Sequence, residues 1–340
     1  MKRPARALSI SVTFFISWLV GVSDGWSQSD HKAKLVEGAK KEGRLVWYTS
    51  MAIDTSKPLL DAFLKEYPFI RPDLVRTGAE QMVNRIMNET RAGKWSFDVV
   101  VLSEIEVLVE RNLISPYLSP EREAFDQEFK DSQGFWTGVY NNNLVLSYNT
   151  KMVSEKEAPK DYGDLLHPKW KGKIIMDSGD HDWFGTLVNV WGKERAVNYM
   201  KQLAGQAPVW RRGHGLIGQL LGAGEAPLGF AYNFRIERMK KEGAPVDWAE
   251  TFNPIMMTVT GIGLSIKPNN PNTAKLFIDF VLSKKSQEMV RDMRRVPSRS
   301  DVKPLVPKMD QKRLKLKRVP KDVYLNFEQY ATEFRKIFGL

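Results

Sequence analysis

The sequence predicts an α/β fold made of two lobes that are joined by two crossing segments. Strand and helix patterns alternate over about 80 residues from Glu42, which is typical of a parallel sheet with helices on both faces. The alternation stops at Tyr140 and restarts near Lys173, and a long apolar segment at residues 256–266 then leads the chain back. A chain of 340 residues is long enough for two such lobes.

The first predicted strand is the apolar run at residues 45–47, which follows the helix-breaking Gly43. Tyr48, Thr49 and Ser50 come at its carboxyl end, where open α/β sheets bind ligands. These three residues are therefore our first ligand-binding candidates. Packing of Tyr48 in the core, with turn capping by Thr49 and Ser50, is an equally consistent interpretation.

Helices follow the first three predicted strands. Residues 54–56 offer caps for the first helix. The patterns at residues 77–80 and 103–106 are capping boxes, and they follow predicted strands at 74–76 and 97–102. This order predicts one lobe with a mainly parallel sheet.

The second half of the chain repeats the pattern. Strands are predicted at residues 144–148, 173–176 and 228–232. Helices are predicted at residues 182–191, 194–203, 216–221 and 273–293.

The N-terminal residues predict a secretory signal peptide. Lys2, Arg3 and Arg6 form a basic start, residues 7–22 are almost uncharged and apolar, and small residues precede a cleavage point after Ser27. An uncleaved membrane anchor is the alternative. We therefore expect residues 1–27 to be removed and the mature protein to be periplasmic.

Composition limits the chemistry. The chain has no cysteine, which excludes disulfides and thiolate metal ligands. Its net charge is +11, and residues 303–318 are dense in lysine and arginine without interleaved aromatic residues that stack on bases. We expect a monomer with a solvated basic surface and no nucleic-acid partner.

Two glycine-containing turns are candidate anion sites. Gly213 begins a G-x-G-x-x-G pattern, but Arg211 and Arg212 precede it where a dinucleotide site needs a strand, so an anion held with Arg212 is the better interpretation. Ser178 and Gly179 follow a predicted strand and precede a helix, which also suits an anion. An ordinary turn and helix cap is equally consistent there.

Catalytic motifs are missing. The sequence has no G-x-S-x-G element, and His31, His167, His181 and His214 are not spaced as paired metal ligands. We therefore expect a protein that is not an enzyme.

Four segments carry a resemblance to a known family. They are EGRLVWYTS at residues 42–50, FDVVVLSE at 97–104, DLLHPKWKGKI at 164–174 and RRVPSR at 294–299. With the export signal, they resemble the extracellular solute-binding proteins of ABC importers, and more narrowly the ferric-iron-binding branch of the type II periplasmic binding proteins.

This resemblance implies a two-lobed periplasmic-binding-protein-like fold (type II) with a ligand cleft between the lobes. It divides the chain into a signal peptide (1–27), a first lobe (28–146 and 262–296), a second lobe (147–261) and a C-terminal segment (297–340). The last of these is expected to pack on the lobes with a basic surface. The implied function is to bind a small solute and deliver it to a membrane permease. An exported enzyme on a similar fold is the alternative, and a protein that binds membranes through residues 303–318 is a third hypothesis.

The resemblance also implies a ligand set. The iron branch holds Fe(III) through adjacent tyrosines, often with a histidine and a glutamate, and with a synergistic anion. Glu104 stands where the glutamate is expected, but Met51 and Ala52 stand where the histidine would be, and Tyr232 is a single tyrosine. Two cargoes therefore remain open. One is Fe(III) with an anion, bound through Glu104 and Tyr232. The other is a small organic or phosphorylated anion, whose candidate ligands are Tyr48, Ser50, Ser178, Arg212 and Tyr232.

Overall fold

The computed structural model describes residues 24–340, with side chains described from residue 29. The predicted signal peptide, residues 1–27, lies almost entirely outside this range and stays a prediction. No described helix has the length and apolar character that crossing a membrane requires.

Helices and strands alternate along most of the described chain. The helices are α1 Asp24–Glu42, α2 Ile53–Glu66, α3 Ala79–Arg91, α4 Ile105–Glu110, α5 His181–Trp191, α6 Lys193–Gly205, α7 His214–Ala223, α8 Asn233–Lys241, α9 Pro271–Leu282, α10 Lys284–Asp292, α11 Lys321–Leu325 and α12 Phe327–Phe338. The strands are β1 Arg44–Thr49, β2 Arg71–Arg76, β3 Val99–Leu102, β4 Ile114–Ser115, β5 Thr137–Asn149, β6 Ile174–Asp177, β7 Val209–Arg211, β8 Leu228–Tyr232, β9 Val246–Trp248, β10 Ile255–Ser265, β11 Val296–Pro297 and β12 Leu316–Arg318.

The described strands form one continuous sheet whose main order is β2-β1-β3-β10-β5-β8-β6-β7. β1 pairs in parallel with β2 and β3, and β6 pairs in parallel with β7 and β8. The long strands β5 and β10 lie between these groups and pair antiparallel with each other. The predicted two-lobed α/β fold with two crossing segments is therefore confirmed.

Each lobe has its own apolar core. The first core draws on residues 35–140 and 257–290, and it includes Trp47, whose ring lies 4.8 Å from that of Phe277. The second core draws on residues 144–256 and 296–334. The chain thus passes through each core twice. The lobe boundaries predicted at residues 146 and 261 stay predictions, and the cores themselves change over a few residues earlier.

The residues after β11 pack mainly on the second lobe. β12 pairs with the first residues of β10, and Val323 and Phe334 are buried in the second core. α11 contacts both α4 of the first lobe and α5 of the second, and α12 covers α5 and α6. Residues 316–338 of the C-terminal segment therefore lie against both lobes.

Helix ends differ from the sequence prediction. α3 and α4 begin after Gly78 and Glu104, and neither has a side-chain cap bond, so the predicted capping boxes do not form. α2 begins after Ala52, before the caps predicted at residues 54–56. The single helix predicted at residues 273–293 is two helices, because Ser283 ends α9 and its hydroxyl caps α10.

Candidate functional site

The candidate site lies where β6, β7 and β8 end, side by side, at one edge of the second lobe. Parallel strands bring the residues at their carboxyl ends together. Asp177 ends β6, His214 begins the helix that follows β7, and Tyr232 ends β8. The rings of His214 and Tyr232 meet edge to face, with their centroids 4.3 Å apart.

Asp177 ties two turns together. Its carboxylate accepts the backbone N–H of Gly179 at 2.9 Å and that of Gly213 at 2.7 Å. The backbone N–H of Ser178 donates to the carbonyl of Arg211. The backbone donors of Ser178 and Gly179, and that of Gly213 at the start of the glycine-rich turn, are therefore already bonded within the protein.

His214 forms a buried ion pair with Asp180. Its Nε2 lies 3.2 Å from the Asp180 carboxylate, and its Nδ1 lies 4.0 Å from that of Asp177. Burial by itself lowers the pKa of His214, but the charges of Asp180 and Asp177 outweigh it and raise the pKa to about 9. Asp177, Asp180 and His214 are spaced closely enough to hold a metal ion. A metal ion that binds this trio must displace the proton of the His214 imidazolium, and without a metal the trio is a charged network.

Asp182 stands in the first turn of α5 and is only partly exposed. Burial raises its pKa to about 7, and the neighbouring charge of Asp180 adds to the shift. The charge of Glu104, at the start of α4 in the first lobe, contributes as well, and the pKa of Glu104 is itself raised by burial. Glu104 of the first lobe and Asp182 of the second are therefore both poorly solvated and near enough for the charge of one to act on the other.

Two phenols lie near the same carboxyl groups. Burial raises the pKa of Tyr232, and the charges of Asp182 and Asp180 raise it further. Burial also raises the pKa of Tyr324 in α11, with further contributions from Glu104 and Asp182. The short helix α11 lies between α4, which follows Glu104, and α5, which contains Asp182. We call Glu104, Asp182, His214, Tyr232 and Tyr324 the cleft cluster.

Other predicted site residues lie elsewhere. The Tyr48 ring packs on Phe97, and its hydroxyl donates to Glu89 at 3.0 Å, so it faces α3 rather than the cleft cluster. The Thr49 hydroxyl donates to the carbonyl of Val101 and accepts the N–H of Met51, which is a turn-forming role. The side chains of both residues are bonded within the first lobe, so the structure does not bring either one together with Tyr232.

Ser50 and Arg212 remain exposed enough to meet a ligand, although neither side chain has a hydrogen-bond partner among the described residues. Arg212 is fully on the surface, whereas the cleft cluster is mostly enclosed. Sequence reasoning selected Glu104 and Tyr232 but not Asp182 or Tyr324. In the sequence, Asp182 resembles an ordinary acidic residue in the first turn of a helix. Tyr324 is far along the chain from the other site residues, and only the fold brings it near them.

A sequence model of the bacterial extracellular solute-binding proteins matches residues 103–325. The chain belongs to this family. The matched range contains every residue of the cleft cluster, from Glu104 to Tyr324. Members of this solute-binding family bind ligands and are not defined by a catalysed reaction.

The individual proteins that match this solute-binding protein are distant from it in sequence. The Fe(3+)-binding periplasmic protein of Serratia marcescens is 21% identical over 266 residues, which is 75% of this chain and 78% of the relative. The iron-bound crystal structure of HitA from Pseudomonas aeruginosa matches with a TM-score of 0.78 at 20% identity, covering 87% of this chain and 99% of HitA. AfuA from Actinobacillus pleuropneumoniae, with fructose-6-phosphate bound, matches with a TM-score of 0.75 at 21% identity, covering 88% and 99%.

The position next to Tyr232, where the iron branch has its second tyrosine, holds a different residue in this chain. The residue after Tyr232 is Asn233, which is completely buried. Its side-chain oxygen accepts the backbone N–H of Phe234 at 2.8 Å, so it starts α8 instead of facing the cleft. Tyr324, which comes from a different part of the chain, is the second phenol of the cleft cluster.

Proposed function

We propose that this protein is the receptor of an ABC importer, which captures a small solute between its two lobes and delivers it to a membrane permease. The observation that carries the proposal is the cleft cluster itself. It joins Glu104 of the first lobe to Asp182 and Tyr232 of the second in a space with little water. A solute that contacts both sides favours the closed arrangement of the lobes.

The proposed location is the periplasm, and the predicted signal peptide supports it. The Serratia marcescens relative is named as a periplasmic protein, and that name agrees with export. Fractionation of cells that produce the full chain tests the location. Finding the protein in the cytoplasmic fraction at full length contradicts it.

We propose a small organic anion as the cargo. The cleft cluster offers phenol and carboxyl groups that bond well to hydroxyl groups of a solute, since protonated acids and phenols both donate and accept. The relative AfuA is described with a phosphorylated sugar bound, which is cargo of this chemical kind. Ser178, Gly179, Arg212 and Ser50 stay candidates for peripheral contacts.

Fe(III) with an anion is the second candidate, because Glu104, Asp182, Tyr232 and Tyr324 supply hard oxygen donors of the type that this ion prefers. Native mass spectrometry of protein purified without refolding separates the two cargoes. We expect one organic molecule per chain. A bound iron mass with a visible charge-transfer colour supports the second candidate. Turnover of a solute, in place of stoichiometric binding, contradicts the receptor function.

A further inference from the structure

Two arginines near the cleft cluster have no acidic partner. Among the described side chains, neither Arg235 nor Arg295 has a carboxylate within salt-bridge distance, and the Nε atom of each is buried without a hydrogen-bond partner. Buried guanidinium groups are costly to leave in this state, because each has five N–H donors and a permanent charge. We call them the arginine pair.

Arg295 is held rigidly between the lobes. It is only 4% exposed, and its guanidinium stacks 4.0 Å from the ring of Phe234 and 4.6 Å from that of Tyr140. Its Nη1 donates to Asn142 at 3.1 Å, and its Nη2 makes a long contact of 3.4 Å to Thr55. These neutral partners orient the group but form no ion pair with it.

Arg235 approaches from the second lobe. Its guanidinium lies 5.3 Å from the ring centre of Phe234, on the helix that follows Tyr232. A side-chain carbon placed on Gly215 would lie 3.5 Å from its Nη1, which puts the group beside the first turn of α7. Burial and the charges of Arg295 and Arg238 lower the pKa of Arg235, so the two guanidinium groups of the pair repel each other.

The charge of Asp54, in the first lobe, acts on both arginines of the pair, but its carboxylate is hydrogen-bonded to a third arginine. Asp54, at the start of α2, bonds to Arg238 at 2.8 Å. The α2 amino terminus has no side-chain cap at Ala52, and its Thr55 touches Arg295. Helix amino termini favour negative charge. Positive charge is therefore in excess on both sides of the cleft, because the carboxylate of Asp54 is hydrogen-bonded to Arg238.

We infer that the arginine pair, Arg235 and Arg295, is the seat for a phosphate monoester group of the solute, and that the cleft cluster receives the rest of that solute. Two guanidinium groups without a salt-bridge partner match a dianion better than a monoanion, and their planar forks fit phosphate oxygens. This inference rests on the proposed receptor function and names the class of its cargo. It moves the anion seat away from Ser178 and Gly179, whose backbone donors are bonded within the protein.

Titration calorimetry with inorganic phosphate, glucose 6-phosphate and uncharged glucose tests this seat. We expect saturable 1:1 binding of glucose 6-phosphate by the wild-type chain and much weaker binding of glucose. Arg235→Gln and Arg295→Lys should each weaken binding of glucose 6-phosphate at least tenfold. Arg195→Gln, which removes an exposed arginine of α6 in the same lobe, is the matched control and should leave affinity unchanged.

Thermal unfolding of each variant separates a structural role from a binding role. Because the Arg235 side chain is partly exposed, the Arg235→Gln protein should unfold near the wild-type temperature. If glucose 6-phosphate binds the wild type, Arg235→Gln and Arg295→Lys with equal affinity, the phosphate seat is wrong and the receptor function stands. If the wild type binds ferric citrate but neither phosphate compound, the seat is also wrong. If it binds none of these solutes and instead converts one, the receptor function itself is wrong.

Discussion

The charged form of Asp182 lowers the stability of the folded protein. Its pKa is raised to about 7, mainly by burial, so the folded state binds a proton more tightly than the unfolded state does. Its unfavourable effect is absent below the unfolded pKa near 4, grows as the pH rises, and is complete above pH 7. Groups whose surroundings oppose their charge are typical of functional sites.

Asp182→Asn should therefore stabilise the ligand-free protein at pH 8 and leave its stability nearly unchanged at pH 4. One pKa unit corresponds to about 1.4 kcal/mol, and because Asp182 is partly exposed we expect a gain of about 1 to 2 kcal/mol at pH 8. Urea unfolding at the two pH values measures this gain. Asp164→Asn, at an exposed position in the second lobe, is the control, and a destabilised Asp182→Asn protein at pH 8 contradicts the assignment.

Tyr232→Phe has three distinct outcomes. If the phenol bonds to an organic anion, affinity should fall by about 0.5 to 1.5 kcal/mol with no colour at any stage. If a phenolate binds Fe(III), the loaded wild type is coloured and the variant loses the colour. We expect the first outcome, measured by calorimetry with the purified ligand. Unchanged affinity for a bound ligand removes Tyr232 from the site.

The stability that His214 contributes is lost as the pH rises, whereas an acid with a lowered pKa loses its contribution as the pH falls. The pKa of His214 rises to about 9 beside Asp180. The ion pair thus contributes full stability below pH 6.5 and loses it as the pH climbs through 9. His214→Gln should lower the unfolding temperature at pH 6 more than at pH 10. An equal loss at both pH values indicates that the ring only packs on Tyr232.

Site residues could be predicted from the sequence only where they lie in a segment with a clear strand or helix pattern. Glu104 and Tyr232 follow apolar strands, and the order of strands places them at the sheet edge. Tyr48 also lies near the carboxyl end of its strand, but side chains alternate along a strand, and the sequence does not show which face of β1 meets α3. The arginine pair was missed because its importance lies in the absence of acidic neighbours, which is a property of the folded molecule.

The contact between α5 and the C-terminal segment depends on a glycine. A side-chain carbon on Gly185 would lie 2.7 Å from Val323 and 3.3 Å from Tyr330. In an exposed helix a change from glycine to alanine stabilises by up to about 1 kcal/mol, but this contact is too close. Gly185→Ala should destabilise the protein by about 1 to 3 kcal/mol, as measured by urea unfolding.

Gly205→Ala is the matched control, because Gly205 is also helical and has no atom within 4 Å of the added carbon. It should be neutral or slightly stabilising. If Gly185→Ala is as stable as Gly205→Ala, then α11 is not pressed against α5, and the placement of Tyr324 at the cleft is weakened.

Two strands were predicted almost to the residue, whereas β5 at Thr137–Asn149 begins well before its predicted start at residue 144. β8 matches its predicted range of residues 228–232, and β10 at Ile255–Ser265 lies within one residue of its prediction. Apolar runs fix strands because burial dominates there. Helix ends depend on which polar group reaches which N–H, and several arrangements of nearby serines and acids satisfy that need. Ser283 illustrates this point, since its cap divides a stretch whose apolar pattern is otherwise continuous.

At the scale of the whole molecule, Arg318 joins the C-terminal segment to the first lobe. Its guanidinium lies 3.0 Å from the carboxylate of Glu106 and 5.0 Å from the ring of Trp136, whereas the following residues are buried in the second core. A tie of this kind limits how far the lobes separate. Arg318→Ala should raise the radius of gyration of the ligand-free protein in X-ray scattering and weaken ligand affinity about two- to tenfold.

Arg313→Ala is the control for that change. Arg313 pairs with Glu250 at 3.7 Å on an exposed part of the second lobe, so it removes a similar charge without a link to the first lobe. A larger radius of gyration in both variants, or in neither, contradicts the role of Arg318. The lobes themselves were predictable from the repeated strand and helix order. The tie was not, because residues 303–318 present only a basic pattern in the sequence.

The double passage of the chain through each core has a consequence for how the protein folds. The first core needs residues 257–290 and the second needs residues 296–334, so neither is complete until most of the chain is available. Contacts between residues so far apart in sequence require large loops to close before they contribute, and such topologies fold slowly. During this delay apolar strands such as β3 and β10 stay uncovered, and the unfinished molecule is open to aggregation or to a chaperone that holds extended chains.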